Sequence, residues 1–297
     1  RQDARPTRAI SLLQFSLITM LKTKRNHIWA FDLEWIPDLP TGRRVYGLDA
    51  SISDNEVREI MWQEGGATPE KPHPYLKTML CRIISLATVI RKVEGNKTKL
   101  KLFSLPQDAS QILDEPSILR RFLLGVGKEK PQLVGFNSRN SDFPILFQRS
   151  LVHSLSMPTF CARPQKNDKS TIDYFYRYGE DHLDLQELVS GWGKATPSLH
   201  EIAQALGIPG KIDTTGSSVI DLWVDGNIGQ IVAYNQCDAL TTYLVWLRLA
   251  YFAGHFTDQE FHYEQELVKN LLQDKITLGE THLQKYYDRW QELQQLF

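Results

Sequence analysis

An α/β layered domain closed by a run of helices is predicted by three features of the chain. Short apolar runs of strand length alternate with helical periodicity, two of those runs flank a turn rich in hairpin residues, and from Leu183 onward the pattern is helical. No internal repeat or low-complexity tract interrupts this order.

The first element is His27 to Trp35 (HIWAFDLEW), an apolar and aromatic run stopped by Pro37 and Pro40, which reads as a buried strand with a carboxylate-bearing tip. Residues 38 to 80 then lose periodicity. They hold a helix from Asp54 to Gln63 and a loop from Pro69 to Pro74, and read as an insertion. RIISLATVI (82 to 90) and TKLKLF (98 to 103) flank Glu94, Gly95 and Asn96, the signature of an antiparallel hairpin. A helix over Glu115 to Gly125, a strand over 131 to 136 and a helix over Phe143 to Leu155 follow, and Ser156 to Glu180 reads as loop. LDLQELV, SLHEIAQAL and a long amphipathic run from Ile228 to Ala253 read as helices, as do two more between 258 and 294, split near Gly279. These last helices either pack on the domain or mediate self-association.

The chain has 297 residues, of which 42% are apolar, enough for one large core or two ordinary ones. Its net charge of -1 neither requires nor excludes a nucleic-acid partner, because carboxylates gathered at a metal site offset a basic channel. Cys81, Cys161 and Cys237 lie far apart, with no CxxC pair and no zinc spacing, which predicts reduced thiols and a cytoplasmic protein. The apolar stretch Ala9 to Leu21 is too short to span a bilayer, so no membrane association is expected. Residues 1 to 26 read as an N-terminal extension, with Met20 a candidate start.

Three places carry carboxylates in contexts that ask for a reason. Asp32 and Glu34, two apart in a strand, project from one face while Phe31, Leu33 and Trp35 project from the other. Acids at the tip of a buried strand are costly unless neutralised, and a hard divalent cation does this; a surface or capping role is the bland alternative. Asp142 sits between a strand and a helix, where an N-cap is the ordinary reading. Tyr234 and Asp238 are one helical turn apart among Ile231, Val232, Leu240 and Leu244, an apolar setting that disfavours an aspartate.

In this order, the three places resemble the exonuclease motifs of the DEDD superfamily, in the branch of predicted exonucleases related to the proofreading domain of family B DNA polymerases. The resemblance covers roughly residues 27 to 254. The first motif supplies Asp32 and Glu34; the second supplies Asp142, preceded five residues earlier by Asn137; the third supplies Tyr234 and Asp238. Position 233 is Ala, which matches the tyrosine branch, not the histidine one. The segments around His182 and Asp184 and at 198 to 211 also look like those of the relatives, with both residues bracing the fold. Trp35 stands where polymerase relatives carry Thr, and Ser141 replaces an aromatic before Asp142. Both departures bear on the 3′ nucleotide.

The resemblance implies a ribonuclease H-like fold, a mixed central sheet flanked by helices, with residues 255 to 297 a C-terminal helical extension. It implies hydrolysis of phosphodiester bonds at single-stranded DNA or RNA 3′ ends, DNA favoured. Four convergent carboxylates, Asp32, Glu34, Asp142 and Asp238, suit two-metal catalysis, and all-oxygen ligation favours two Mg²⁺ or Mn²⁺ over zinc. Tyr234, with a phenol pKa near 10, suits orienting the attacking water more than deprotonating it.

Asn137 either meets the terminal nucleotide or caps its loop. Trp35, Phe143 and Lys211 are the other substrate-binding candidates, with Arg139, Arg163, Lys166 and Lys169 for phosphates and Trp29, Tyr174 and Phe175 for stacking. Any proofreading would be in trans, through association with a polymerase or repair complex. Two other readings stay open: a nucleic-acid-binding module of the same fold with weak catalysis, and a two-metal phosphodiesterase acting on short RNA or nucleotides.

Overall fold

The computed structural model describes residues 21–111, 113–164, 172–190, 195–212 and 219–295. Its elements, in chain order, begin with β1 (His27–Pro37), α1 (Leu39–Tyr46) and α2 (Asp54–Glu64). After them come β2 (Cys81–Glu94), β3 (Lys97–Leu105), α3 (Glu115–Glu129), β4 (Gln132–Gly135), α4 (Asp142–Val152), α5 (Pro158–Cys161) and β5 (His182–Asp184). The remainder is helical: α6 (Leu185–Ser190), α7 (Leu199–Ala205), α8 (Val219–Val224), α9 (Ile228–Phe252), α10 (Asp258–Thr277) and α11 (His282–Gln295).

Five strands form one sheet in the order β3-β2-β1-β4-β5, antiparallel across β1–β2–β3 and parallel across β1–β4–β5. It is the mixed, helix-flanked sheet the sequence predicts. The long hairpin β2–β3 turns through Gly95, whose φ of 61° a glycine adopts without a Cβ clash. Alternation along β1 sorts its side chains into two cores. Ile28 and Ala30 face α9, while Trp29, Phe31 and Leu33 face α3 and α4 with Ile118, Phe122 and Ile145.

Helix α9 is apolar nearly all round because it is enclosed on both sides, by the sheet and by α10 and α11. Tyr286, Trp290 and Leu283 of α11 and Val268 and Leu272 of α10 are fully buried against it. Of the two roles open to the last helices, packing on the domain is the one seen. Arg91 of β2 reinforces it through a buried ion pair with Glu264 of α10, which also accepts from the Tyr243 hydroxyl at 3.0 Å. Residues 21 to 26, counted with the extension in the sequence reading, are tied down as well. Lys22 and Thr23 backbone N–H groups donate to Glu180 at 2.7 Å, and Leu21 is fully buried. Residues 1–20 lie outside the described residues.

Three local readings are corrected. Residues 182–184 form β5, not the start of a helix: parallel pairing of Leu133, Val134 and Gly135 with His182, Leu183 and Asp184 outweighs a local pattern too short to show a period. Residues 39–46, read as aperiodic, form α1. Pro40 stands in the first turn, where its missing N–H costs nothing, and Asp38 caps the helix by accepting from the Thr41 N–H at 3.2 Å. The segment read as loop contains the single turn of α5. Among the described residues no helix is long and apolar enough to cross a membrane.

Candidate active site

Three elements converge beside the middle of β1. The strand projects Asp32 and Glu34 toward α9, opposite the small residues Ala87 and Ser85 of β2, which leave room above them. One ligand oxygen from each of Asp32, Glu34 and Asp238 lies within 4.8 Å of the others. Asp142, 4% exposed at the start of α4, stands outside that set of three and acts on Asp32 and Glu34 through its charge. It is not the cap of that helix; that position belongs to Ser141. Because β4 pairs with β1 only over Ile28 to Ala30, the Leu33 N–H lies beyond the ladder, and it donates instead to Asp142 Oδ1 at 3.2 Å. The Ser141 hydroxyl donates to Asp142 Oδ2 at 2.6 Å. The altered residue before Asp142 therefore holds it in place.

The electrostatics follow from four acids and little compensation. Burial raises the pKa of Asp32 well above the carboxylate range, and Glu34, Asp142 and Asp238 add to the shift. Glu34 is raised in the same way by burial, then by Asp238 and Asp142, against the cation of Lys211. Burial pushes Asp142 and Asp238 up to about 6. Lys211, in the loop after α7, also favours the charged form of Asp238. Burial, together with the neighbouring acids Asp238, Glu34 and Asp32, holds the Tyr234 phenol above the usual value. It stays protonated.

An all-oxygen set of acids that repel one another fits a hard divalent cation: the ion would supply the charge that the fold leaves out. No comparable His or Cys cluster occurs among the described residues.

One residue at the site escaped the sequence reading. Asn235, fully buried, donates through Nδ2 to Asp32 Oδ2 at 2.7 Å and accepts at Oδ1 from the Ser85 hydroxyl at 3.0 Å. A carboxylate only accepts, so the amide nitrogen must face Asp32 and the hydroxyl of Ser85 must be the donor. The available signal was an asparagine beside Tyr234 within an apolar helix.

Other candidates fall elsewhere. Asn137 adopts a φ of 58°, its N–H donates to Asp184 Oδ1 at 2.8 Å and its carbonyl accepts from the Ser141 N–H at 3.1 Å, so it shapes the loop that delivers Asp142. Asp184 also accepts from the Arg139 and Gln186 N–H groups, and His182 bonds the Ser138 hydroxyl at 2.9 Å; both brace the fold. Phe143 is half-buried and stacks on His182, ring centres 4.7 Å apart. Trp35 follows a register shift after Glu34 and packs half-buried on the α3-side core. Trp29 and Tyr174 are buried in that core, Arg163 pairs with Asp173, and Arg139 pairs with Glu187, so none is free to take a base or phosphate. Lys166 and Lys169 lie outside the described residues.

Comparison with known proteins assigns the chain to a family. Residues 73–290 match the model of a family described as a predicted 3′-5′ exonuclease related to the exonuclease domain of PolB. The match begins after β1, so Asp32 and Glu34 are joined to the site by the fold and not by the match. No curated protein matches the chain. Among solved structures, the chain is similar to the family B DNA polymerase of the hyperthermophilic archaeon Pyrobaculum calidifontis, with 16% identity and a TM-score of 0.43. That likeness covers 75% of this chain and 26% of the polymerase, about a quarter of its length. With most of its length matched, from the hairpin to the last helix, the chain belongs to the family of predicted 3′-5′ exonucleases related to the exonuclease domain of PolB.

Proposed function

We propose that the chain is a 3′→5′ exonuclease that hydrolyses phosphodiester bonds at single-stranded nucleic-acid 3′ ends, DNA favoured over RNA. The observation that carries this is the meeting of Asp32, Glu34 and Asp238 within 4.8 Å, with Asp142 clamped beside them, in a member of this family. These four would hold two Mg²⁺ or Mn²⁺. Bound there, the ions would supply Lewis acidity to water and charge stabilisation to the departing oxygen.

The chain's own groups set the geometry. Asn235 fixes which oxygen of Asp32 is turned outward, and the Leu33 N–H and Ser141 hydroxyl do the same for Asp142. Tyr234, protonated one turn before Asp238, would orient a water at the cluster. Lys211, whose charge acts on Glu34 and Asp238, would offer a cation to the scissile phosphate.

The test is incubation with 5′-labelled single-stranded DNA and RNA in Mg²⁺ or Mn²⁺. A ladder shortened from the 3′ end is expected, stronger on DNA. No ladder, or one that persists in Asp32→Ala, would overturn the reading. A chain-length series separates it from action on nucleotides alone.

A further inference from the structure

Two adjoining cavities open where β1 leaves the sheet, away from the acids. The larger, 740 Å³, is lined by Pro40, Arg44, Arg82, Ile83, Leu113 and Trp223 among others; the smaller, 290 Å³, by Ile36, Arg43, Arg58, Arg82 and Trp223. Arg82 and Trp223 form the wall between them, the guanidinium 5.3 Å from the ring centre. Ile36 follows Glu34 by two residues, so at the rise of a strand the smaller cavity begins about 7 Å along β1 from the acids.

The charges around the cavities do not cancel at the surface. Every carboxylate in the lining already has a partner: Asp38 and Glu115 hold Arg149, Asp114 caps α3 through the Ser117 N–H, and Asp54 pairs with Arg43. Three of the arginines are different. Among the described residues, Arg44, Arg58 and Arg82 have no carboxylate within ion-pair distance. Arg44 reaches only the Thr41 hydroxyl, at 3.2 Å, Arg58 the Asn55 amide oxygen, and Arg82 the Trp223 ring. An arc of guanidinium groups around an apolar hollow with a tryptophan 36% exposed is complementary to a polyanion that carries flat apolar rings.

We propose that these cavities bind the nucleotides of a single-stranded substrate that lie 5′ of the scissile bond, with Arg44, Arg58 and Arg82 meeting phosphates and Trp223 stacking a base. The inference rests on the nuclease reading, because a strand whose 3′ end is at the acids must continue in some direction, and this is the basic, ring-bearing hollow reached along β1. The site is then longer than the four acids.

The test is fluorescence anisotropy of a labelled dodecamer of deoxythymidylate with the full chain in EDTA, over a series of salt concentrations. Arg44→Glu, Arg58→Glu and Trp223→Ala are compared with wild type, and Lys128→Glu, at the far end of α3, is the charge control. Each arginine reversal is expected to weaken binding roughly tenfold and to flatten the log affinity against log salt slope by about 0.7 for each phosphate no longer neutralised. Trp223→Ala is expected to weaken binding by roughly five- to a hundredfold, with little change in slope. Affinity and slope equal to wild type in both charge reversals, with unchanged circular dichroism, would overturn the proposal, as would an equal loss in Lys128→Glu; the two reversals lie on the surface and decide the matter even where Trp223→Ala fails to fold. Failure of the nuclease reading is separate: a wild type that binds the dodecamer through these residues yet leaves it intact in Mn²⁺ removes the exonuclease and leaves the binding site.

Discussion

The molecule contains two clusters of carboxylates, one buried and the other half-buried apart from Asp142, and they are built on opposite terms. Asp38 and Glu115, at the end of β1 and the start of α3, enclose the Arg149 guanidinium, with hydrogen bonds of 2.9 Å and 2.7 Å and a further contact from His153 to Glu115. There the Thr41 and Arg149 hydrogen bonds hold Asp38 below its usual value despite its burial. Asp32, Glu34, Asp142 and Asp238 have no such cation among them, and all four are pushed up. Burial alone does not mark a functional carboxylate; burial that the chain leaves uncompensated does. The first cluster is a finished structural contact. The second leaves its acids to repel one another.

The largest expected effect falls on activity. Asp32→Ala should lower nuclease turnover by on the order of 10³-fold or more in a Mn²⁺ assay while leaving a folded protein. An equal loss in Asp38→Asn, measured per folded molecule, would erase the distinction between the clusters. Next is stability: Arg149→Met leaves Asp38 and Glu115 buried without their cation and should cost about 3 to 5 kcal/mol in denaturant unfolding. A smaller effect is expected at the bridge between β2 and α9. Asn235→Ala should weaken Mn²⁺ binding, read by titration calorimetry without substrate, roughly 10- to 100-fold, and Ser85→Ala by less. Unchanged metal affinity would reduce Asn235 to packing.

The smallest effect concerns pH, and the two clusters should respond with opposite sign. Asp142 and Asp238 have folded pKa values raised from 3.8 to about 6, so their contribution to stability is full below about pH 4 and is lost as pH rises through about 6. In EDTA, Asp238→Asn should therefore gain on wild type by a few degrees of melting temperature between pH 5 and pH 7.5. Asp38 is lowered, so its contribution is present above the usual carboxylate value and is lost in acid; Asp38→Asn should lose stability at neutral pH and not in acid. Parallel melting curves for the two variants across that range would break the comparison.

Much of the site was legible because its residues are periodic neighbours. Two positions apart in a strand and four in a helix decide which side chains share a face, and both hold for Asp32 with Glu34 and for Tyr234 with Asp238. The long strands, the hairpin and the long helices were legible for the same reason. Elements without a period were not: α1 hid behind two prolines, and β5 is three residues whose strand character comes from β4. Asn235 was passed over because its partners, Asp32 and Ser85, are 203 and 150 residues away.

By itself, the sequence determined which faces carry the acids, which helices are amphipathic and which family the motifs resemble, since these depend on backbone geometry within a few residues. Only the tertiary structure decided that β1, α4 and α9 bring their acids together and that the Leu33 N–H steadies Asp142. It alone paired Arg149 with one set of carboxylates and left the other with no ion-pair partner among the described residues beyond the charge of the exposed Lys211. Those outcomes depend on distances between segments far apart in the chain, where desolvation and Coulomb energy act through space and local periodicity carries no information.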